Sequence, residues 1–552
     1  MFLRITALLA LCSISIWPSG ASAASGSARL GAINHIVVIY EENHSFDNLY
    51  GGWEGVNGRA NATNATQLNQ AGSPYACLLQ NDVNLTSPPL APDCAAATTS
   101  TPGMHFTNNP FSIEAYIPAS AQTCPQPGVF ALHGLTPNSA NRAGGCTEDI
   151  VHRFYQEQYQ LNDGAQNLYV TGSDAVGLAM GYYDTTALPI YTYLHSPAHP
   201  HYAISDNFFQ SAFGGSFLNH QWLIAAASPT YPNAPASQYS IIDSNGMPTS
   251  YPLYTATGPV KDAPLTQLCP SAVPGRACGS YAVNTIQPFQ QPTSSNPVKL
   301  PAQTGTTIGD ELSAAGVSWG WYAGGWANAN GDVGAPGWTN GVGSCGDPES
   351  FPNPQYPYCP SKVFQFHHQP FNYYAAYASG TPGRAHLKDE ADFTNLLGGS
   401  AKTCKLNSVS FVKPVGLENE HPGYTSETNG SNHLVDLLSA VQNSACRKDT
   451  MVVVTYDEFG GQYDHVTPPG QGGAAGVSDR WGPGTRIPAL VIAPQLLGTF
   501  VVDHTQYDTT SILATIEHRF GVAPLSSRDA SVNDLGNVFT AHVPSARSGG
   551  SA

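Results

Sequence analysis

Ile36-Val37-Val38-Ile39-Tyr40-Glu41-Glu42-Asn43-His44-Ser45-Phe46-Asp47 decides the fold. Its first five residues are continuously apolar and rich in β-branched side chains. A strand covered on both faces needs no polar alternation, so the run reads as a buried central strand of a parallel sheet. It stops at a polar cluster that begins with Glu41 and Glu42. Met451-Val452-Val453-Val454-Thr455-Tyr456 repeats the arrangement and ends in Asp457-Glu458-Phe459-Gly460-Gly461. Ser408 to Val412 is a shorter strand leading into Lys413-Pro414. Ala489 to Ala493 is another, bounded by Pro488 and Pro494. Helical spacing appears between these strands. Leu434, Leu437, Leu438 and Val441 share a face that Ser431 or Asn432 can cap. Thr307 to Ala315 precedes an aromatic strand, Val317 to Tyr322. Thr509 to Phe520 puts Ile512, Leu513 and Ile516 on one side. This alternation implies an α/β fold: a doubly wound, mostly parallel sheet flanked by helices, with right-handed crossovers. In such sheets ligands bind beyond the carboxyl ends of the strands, where both acidic clusters fall.

Outward from that core, the chain opens with Arg4, an apolar run from Ile5 to about Trp17, and Ala21-Ser22-Ala23. This is the pattern of a secretory signal over residues 1–23, cut after Ala23, so the protein is expected to be secreted or periplasmic. The apolar run is shorter than the roughly 20 residues that span a bilayer. One domain with insertions is expected over 24–543, then a flexible Ser/Gly-rich tail over 544–552. Of 11 cysteines, Cys12 lies in the leader. The others make no CxxC pair, so a cysteine zinc site is not expected. Neighbour pairing would close the short loops 77–94, 124–146, 269–278, 345–359 and 404–446. A net charge of −17 argues against a nucleic-acid partner. Only 11% of residues are charged, and 55 Gly, 44 Pro and 27 Tyr suit an ordered, loop-rich extracellular protein rather than a disordered one. Irregular insertions are expected over Asn57 to Gly145, Pro229 to Gln303 and Ala327 to Pro360. Asn61, Asn64, Asn84 and Asn429 stand in Asn-x-Ser/Thr sites.

Glu42-Asn43 and Asp457-Glu458 bring oxygen donors to two strand ends. Either pair alone reads equally well as a helix cap or a solvated loop. Together they suit a hard divalent cation or a zinc-like ion. Gly214-Gly215-Ser216 opens an apolar stretch. It places a hydroxyl at a helix N-terminus, where glycine permits close approach and amides favour an anion. Ser216 as a plain N-cap is the alternative. His152, His367-His368, His421 and His465 complete the candidates, as donors to phosphoryl oxygens or as leaving-group acids. Several such histidines would favour mildly acid pH, where they carry charge.

The Glu-Asn-His-Ser-Phe-Asp core within Ile36–Gly51 resembles the opening motif of the bacterial phosphoesterase family, which holds phospholipases C and secreted acid phosphatases. The usual form has Arg where this chain has His44. Tyr456-Asp457-Glu458-Phe459-Gly460-Gly461-Gln462-Tyr463-Asp464-His465-Val466 resembles the family's second hallmark. Segments around His152, Ser216, His368 and His421 follow in the family's order, and the likeness runs from about Ile33 to Asp529. The resemblance implies an alkaline-phosphatase-like fold and one divalent metal ion held by Glu42, Asn43, Asp457 and Glu458, with Ser216 against it as nucleophile. It implies that Asn43, His152, His368 and His421 contact the phosphoryl group, and that Asp464 and His465 lie behind the site. His368 is preferred to His367 for its place beside Gln369-Pro370. The expected substrate is a phosphate ester. Gly214-Gly215-Ser216-Phe217-Leu218-Asn219-His220 resembles the acid phosphatase branch, and phospholipases commonly carry C-terminal β-domains beyond the region that Leu525-Ser526-Ser527-Arg528-Asp529 resembles. A phospholipase C making transient contact with a lipid membrane is the alternative. A sulfatase-like site would need a Cys/Ser-x-Pro-x-Arg pattern, which does not follow Ser216.

Overall fold

The computed structural model describes residues 21–63, 65–79, 105–114, 118–120, 150–173, 176–248, 261–271, 273–293, 296–338, 364–398, 402–422 and 424–541. Eight strands form the central sheet: β1 (His35–Glu41), β2 (Tyr202–Ser205), β3 (Trp319–Ala323), β4 (Leu387–Asp389), β5 (Val409–Lys413), β6 (Thr450–Tyr456), β7 (Ala489–Ile492) and β8 (Phe500–Asp503). Their spatial order is β8-β2-β7-β6-β1-β5-β3-β4. β1 runs parallel between β6 and β5, with Glu41 opposite Tyr456 and Ile39 opposite Val412. That register decides the site, because Glu42 and Asp457 leave neighbouring strands side by side. Ile36 to Glu41 and all of β6 are buried, as a sheet covered on both faces requires.

The doubly wound, mostly parallel sheet is present, with one reversal. β7, the expected strand at Ala489, runs antiparallel to both β6 and β2. A four-residue apolar run looks the same in either direction, so its sequence carries no sign of this. β2, β4 and β8 carry no long apolar run and stand out weakly in the sequence.

Six helices matter here: α1 (Ala21–Leu30), α2 (Phe154–Leu161), α3 (Ser216–Ala225), α4 (Ile308–Ala314), α5 (Glu427–Asn443) and α6 (Thr510–Phe520). Thr307 caps α4 in a reciprocal box with Asp310. α5 starts earlier than expected. Ser426 caps it by accepting from Asn429 N, while Ser431 lies buried inside the helix and accepts from Ile190 N instead. α1 crosses the expected cleavage point; residues 1–20 and the tail 544–552 lie outside the described residues. Among the described residues, no helix is long and apolar enough to cross a membrane.

Cys269–Cys278 and Cys404–Cys446 are bonded as neighbour pairing expects. Cys77 is disulfide-bonded. Its expected partner Cys94, both members of 124–146 and 345–359, and Asn64 and Asn84 lie outside the described residues.

Candidate active site

Where β1 and β6 end, the chain turns sharply. Asn43 takes a left-handed backbone, φ 57°. This points its N–H at Asp457 Oδ1, 3.0 Å away, and the same oxygen accepts from Glu458 N at 2.8 Å. Gly460, φ 63°, passes so close that a Cβ there would stand 2.1 Å from Asn43 O. Only glycine lets the two motif loops meet. Glu42, Asn43, Asp457 and Glu458 are all essentially buried.

Ser216 reaches the same point from the other side. It is the first residue of α3, with Gly215 as the N-cap, so its hydroxyl is not used as a cap. Ser216 Oγ instead lies 3.1 Å from Glu42 Oε2 and 3.4 Å from both Glu458 Oε1 and Asn43 Oδ1. The turn before it is built tightly. Gly214 has φ 90°, and its N–H donates to Glu157, a buried carboxyl that also accepts from Thr485 N and Gln210 Nε2. Burial raises Glu157 to about 7, against the hydrogen bonds it accepts. A Cβ on Gly214 would meet Phe154 N at 2.7 Å. Gly214→Ala is therefore expected to cost about 1–3 kcal/mol in urea unfolding and to lower turnover by displacing Ser216. Unchanged unfolding and turnover would contradict this account of the turn.

The histidines ring this centre. His152 donates from Nδ1 to Ile150 O at 2.6 Å, which leaves Nε2 3.4 Å from Glu458 Oε1. His368 Nε2 lies 2.7 Å from Glu42 Oε1, whereas His367 brings a ring nitrogen within 4.8 Å of the same group. His421 donates from Nδ1 to Pro422 O at 2.7 Å and stacks on Tyr424. The expectation that these rings are charged at mildly acid pH is not supported. Burial lowers His152 to about 4 and His421 to about 3, and it lowers His368 as well. A bound anion favours the charged form of these rings and works against that shift.

The donor set fits a cation. Burial, then the neighbouring carboxylates, push Asp457 and Glu458 well above the usual carboxylate range. Asp457 Oδ2 has no hydrogen bond among the described residues. The Asn43 amide end facing the carboxylates is 3.0 Å from Glu42 Oε2 and 2.8 Å from Glu458 Oε1. Turned with nitrogen inward, it would donate to both. With oxygen inward it makes sense only around a cation, and the two ends are distinguished by such reasoning alone. Glu42, His220 and Asp457 also bring ligand atoms within 4.8 Å of one another.

Four residues were not foreseen. His220 lies one turn along α3 from Ser216, donates from Nδ1 to Ser216 O at 2.8 Å and stacks on His368. Its helical spacing from Ser216 was the available signal. Lys413 ends β5 and meets Glu42 Oε1 at 2.6 Å. Glu157 braces the Gly214 turn. Arg486 joins the two motifs from behind, and Asp464 and His465 belong to that junction with Asp47, not to the centre. His44 is buried between Asn48 Oδ1 and Glu420 O.

The Phosphoesterase family profile matches residues 33–523. Phospholipase C B of Mycobacterium tuberculosis is 26% identical over 94% of this chain and 79% of its own length. A non-hemolytic phospholipase C of Burkholderia pseudomallei is 27% identical over 39% of this chain and 32% of its own. A solved protein of the alkaline phosphatase superfamily from Vibrio parahaemolyticus is 16% identical over 42% of this chain and 52% of that one. Its TM-score is 0.20, a likeness too slight to bear on the fold. The profile covers both acidic motifs, Ser216 and the three histidines, and on that match the chain belongs to the Phosphoesterase family, as a hydrolase acting on phosphoric ester bonds.

Proposed function

We propose that the protein is a secreted, metal-dependent phosphomonoesterase of the acid phosphatase kind, working through a phosphoserine at Ser216. The carrying observation is the convergence of a helix-N-terminal hydroxyl with Glu42, Asn43 and Glu458, all within 3.4 Å of Ser216 Oγ. A divalent ion held by Glu42, Asn43, Asp457 and Glu458 would supply the positive charge that lowers the pKa of the Ser216 hydroxyl. Ser216 Oγ, its proton released to solvent as the hydroxyl ionises, attacks phosphorus in line, and the leaving oxygen departs on the opposite side. The N-terminal amides of α3, Asn43 and His152 stabilise the equatorial oxygens. His421 has Nδ1 fixed on Pro422 O, leaving Nε2 for the leaving oxygen. The arriving phosphate raises its pKa, and it protonates the departing alcohol. The now neutral ring takes a proton from water, which attacks the phosphoserine and releases phosphate and Ser216. His368 is held on Glu42 and keeps that carboxylate in place.

Two features support the monoester. The Asn43 amide, His152 and the amides that open α3 offer donors to the three free oxygens of a phosphomonoester, while His421 serves the leaving oxygen. Ser216 is only 7% exposed, which suits a small ester head. The second reading, a phospholipase C that docks transiently on lipid, is favoured by the names of the relatives. Phosphate release from p-nitrophenyl phosphate and phosphocholine release from phosphatidylcholine vesicles separate the two. Monoester turnover at least about tenfold above lipid turnover in kcat/KM is expected, a difference of about 1.4 kcal/mol. Cleavage of phosphatidylcholine with an inert monoester would overturn the first reading.

A further inference from the structure

The carboxylate cluster contains one positive charge that belongs to the chain. We propose that Lys413 is the resident counter-charge of the metal site: it binds one oxygen of Glu42 permanently and lets the fold hold the site together without its ion. This rests on the reading above that the cluster binds a divalent cation.

β5 pairs with β1 so that Val412 lies opposite Ile39, and Lys413 emerges beside Tyr40 and Glu41. Its side chain is completely buried. Nζ donates to Tyr40 O at 2.8 Å and Glu41 O at 3.2 Å and pairs with Glu42 Oε1 at 2.6 Å. Two of the ammonium's three donors go to main-chain carbonyls, and Glu42 Oε1 faces it as an ion pair.

Two consequences follow. With Oε1 taken by Lys413 and His368, Glu42 turns Oε2 toward Ser216 Oγ at 3.1 Å. Lys413 is thus a positioning residue that never touches substrate. The charges also count out. Glu42, Asp457 and Glu458 bring three negative charges when ionised, Lys413 offsets one, and a single divalent ion neutralises the rest.

The test compares melting temperatures of the full-length protein after dialysis against EDTA and after reloading with Mn2+ or Zn2+, added singly. The gap between the two states is expected to be small in the native protein. In Lys413→Met it should widen by about 5 °C or more, because the ion alone now balances Glu42, and Lys413→Arg should fall between them. Equal lowering of both states, with the gap unchanged, would mean a packing role and would overturn the proposal. Should Lys413→Met not fold, the metal-free Glu42→Gln/Lys413→Met double variant decides, since it removes both members of the pair and leaves neither without its partner. It should be recovered as folded protein; a double variant no better than the single one counts against the pairing. If the native protein takes up neither ion, the metal reading itself fails. If the ion binds and only the gap is unchanged, the role of Lys413 alone fails.

Discussion

Ser216→Ala is expected to lower kcat by about four to six orders of magnitude, with little change in metal content or melting temperature. The size follows from what the hydroxyl does. On the proposed route it forms the bond to phosphorus, and no neighbouring group can take its place: Glu42, Asn43 and Glu458 face inward around it. Removal of a nucleophile that acts as a unit with its surroundings costs about this much in hydrolases built on the same logic. The fold has little stake in the side chain. Gly215, not Ser216, is the N-cap of α3, so alanine at the first helical position costs no capping bond. Three measurements separate nucleophile from scaffold. Rapid acid quenching of the native protein with a 32P-labelled monoester should trap label on Ser216 and none on Ser216→Ala. Metal stoichiometry should be the same in both. Unfolding free energies should agree within about 0.5 kcal/mol. Undiminished turnover in the variant would end the phosphoserine mechanism.

The sequence disclosed the centre of this site better than its supports, for a physical reason. Ile36 to Tyr40 and Met451 to Tyr456 are buried on both faces, and such strands must be apolar throughout. The carboxylates that follow had to emerge at a sheet end. That each belongs to one site became visible only in the register, where Glu41 pairs with Tyr456. Lys413 stands in the sequence just after a strand expected to end at Val412, although it is the last residue of β5, and nothing in the local pattern says that a lysine is buried. The direction of β7 was illegible for a similar reason, since four apolar residues satisfy either ladder. The histidines were found one by one, while their common burial, which lowers their pKa values, is a property of the assembled cleft.

Arg486→Met is expected to destabilise the protein by about 3–5 kcal/mol and to weaken the metal site, although Arg486 touches none of the proposed metal ligands. The guanidinium is completely buried. Nε donates to Asp464 Oδ1 at 3.1 Å, and Nη2 donates to Asp47 Oδ1 at 3.1 Å and Asp464 Oδ2 at 3.2 Å. Nη1 donates to Asn57 O and Asp206 O, both at 2.7 Å, and the flat group lies over Phe46 at 4.3 Å. Asp47, Asp464 and His465 bring ligand atoms within 4.8 Å of one another, yet the guanidinium already serves them as the cation. Methionine would fill much of the space and leave two buried carboxylates with His465 as their nearest balance, paired to Asp47 at 2.6 Å. The damage should spread to the site through two bonds that join the motif loops: Asp47 N to Asp464 Oδ2 at 3.0 Å and Ser45 Oγ to Tyr463 O at 2.7 Å. These hold the turn after Glu42-Asn43 against the turn after Asp457-Glu458. Loosening them should raise the Kd for Mn2+ or Zn2+ by about tenfold or more, as loss of groups behind metal ligands commonly does. Arg486→Lys keeps the charge without the planar fork and should recover part of the stability but less of the affinity. Calorimetric titration of the metal-free protein together with urea unfolding measures both quantities. A variant that loses stability while binding the ion with native affinity would show that the two motif loops are held in register by β1 and β6 alone.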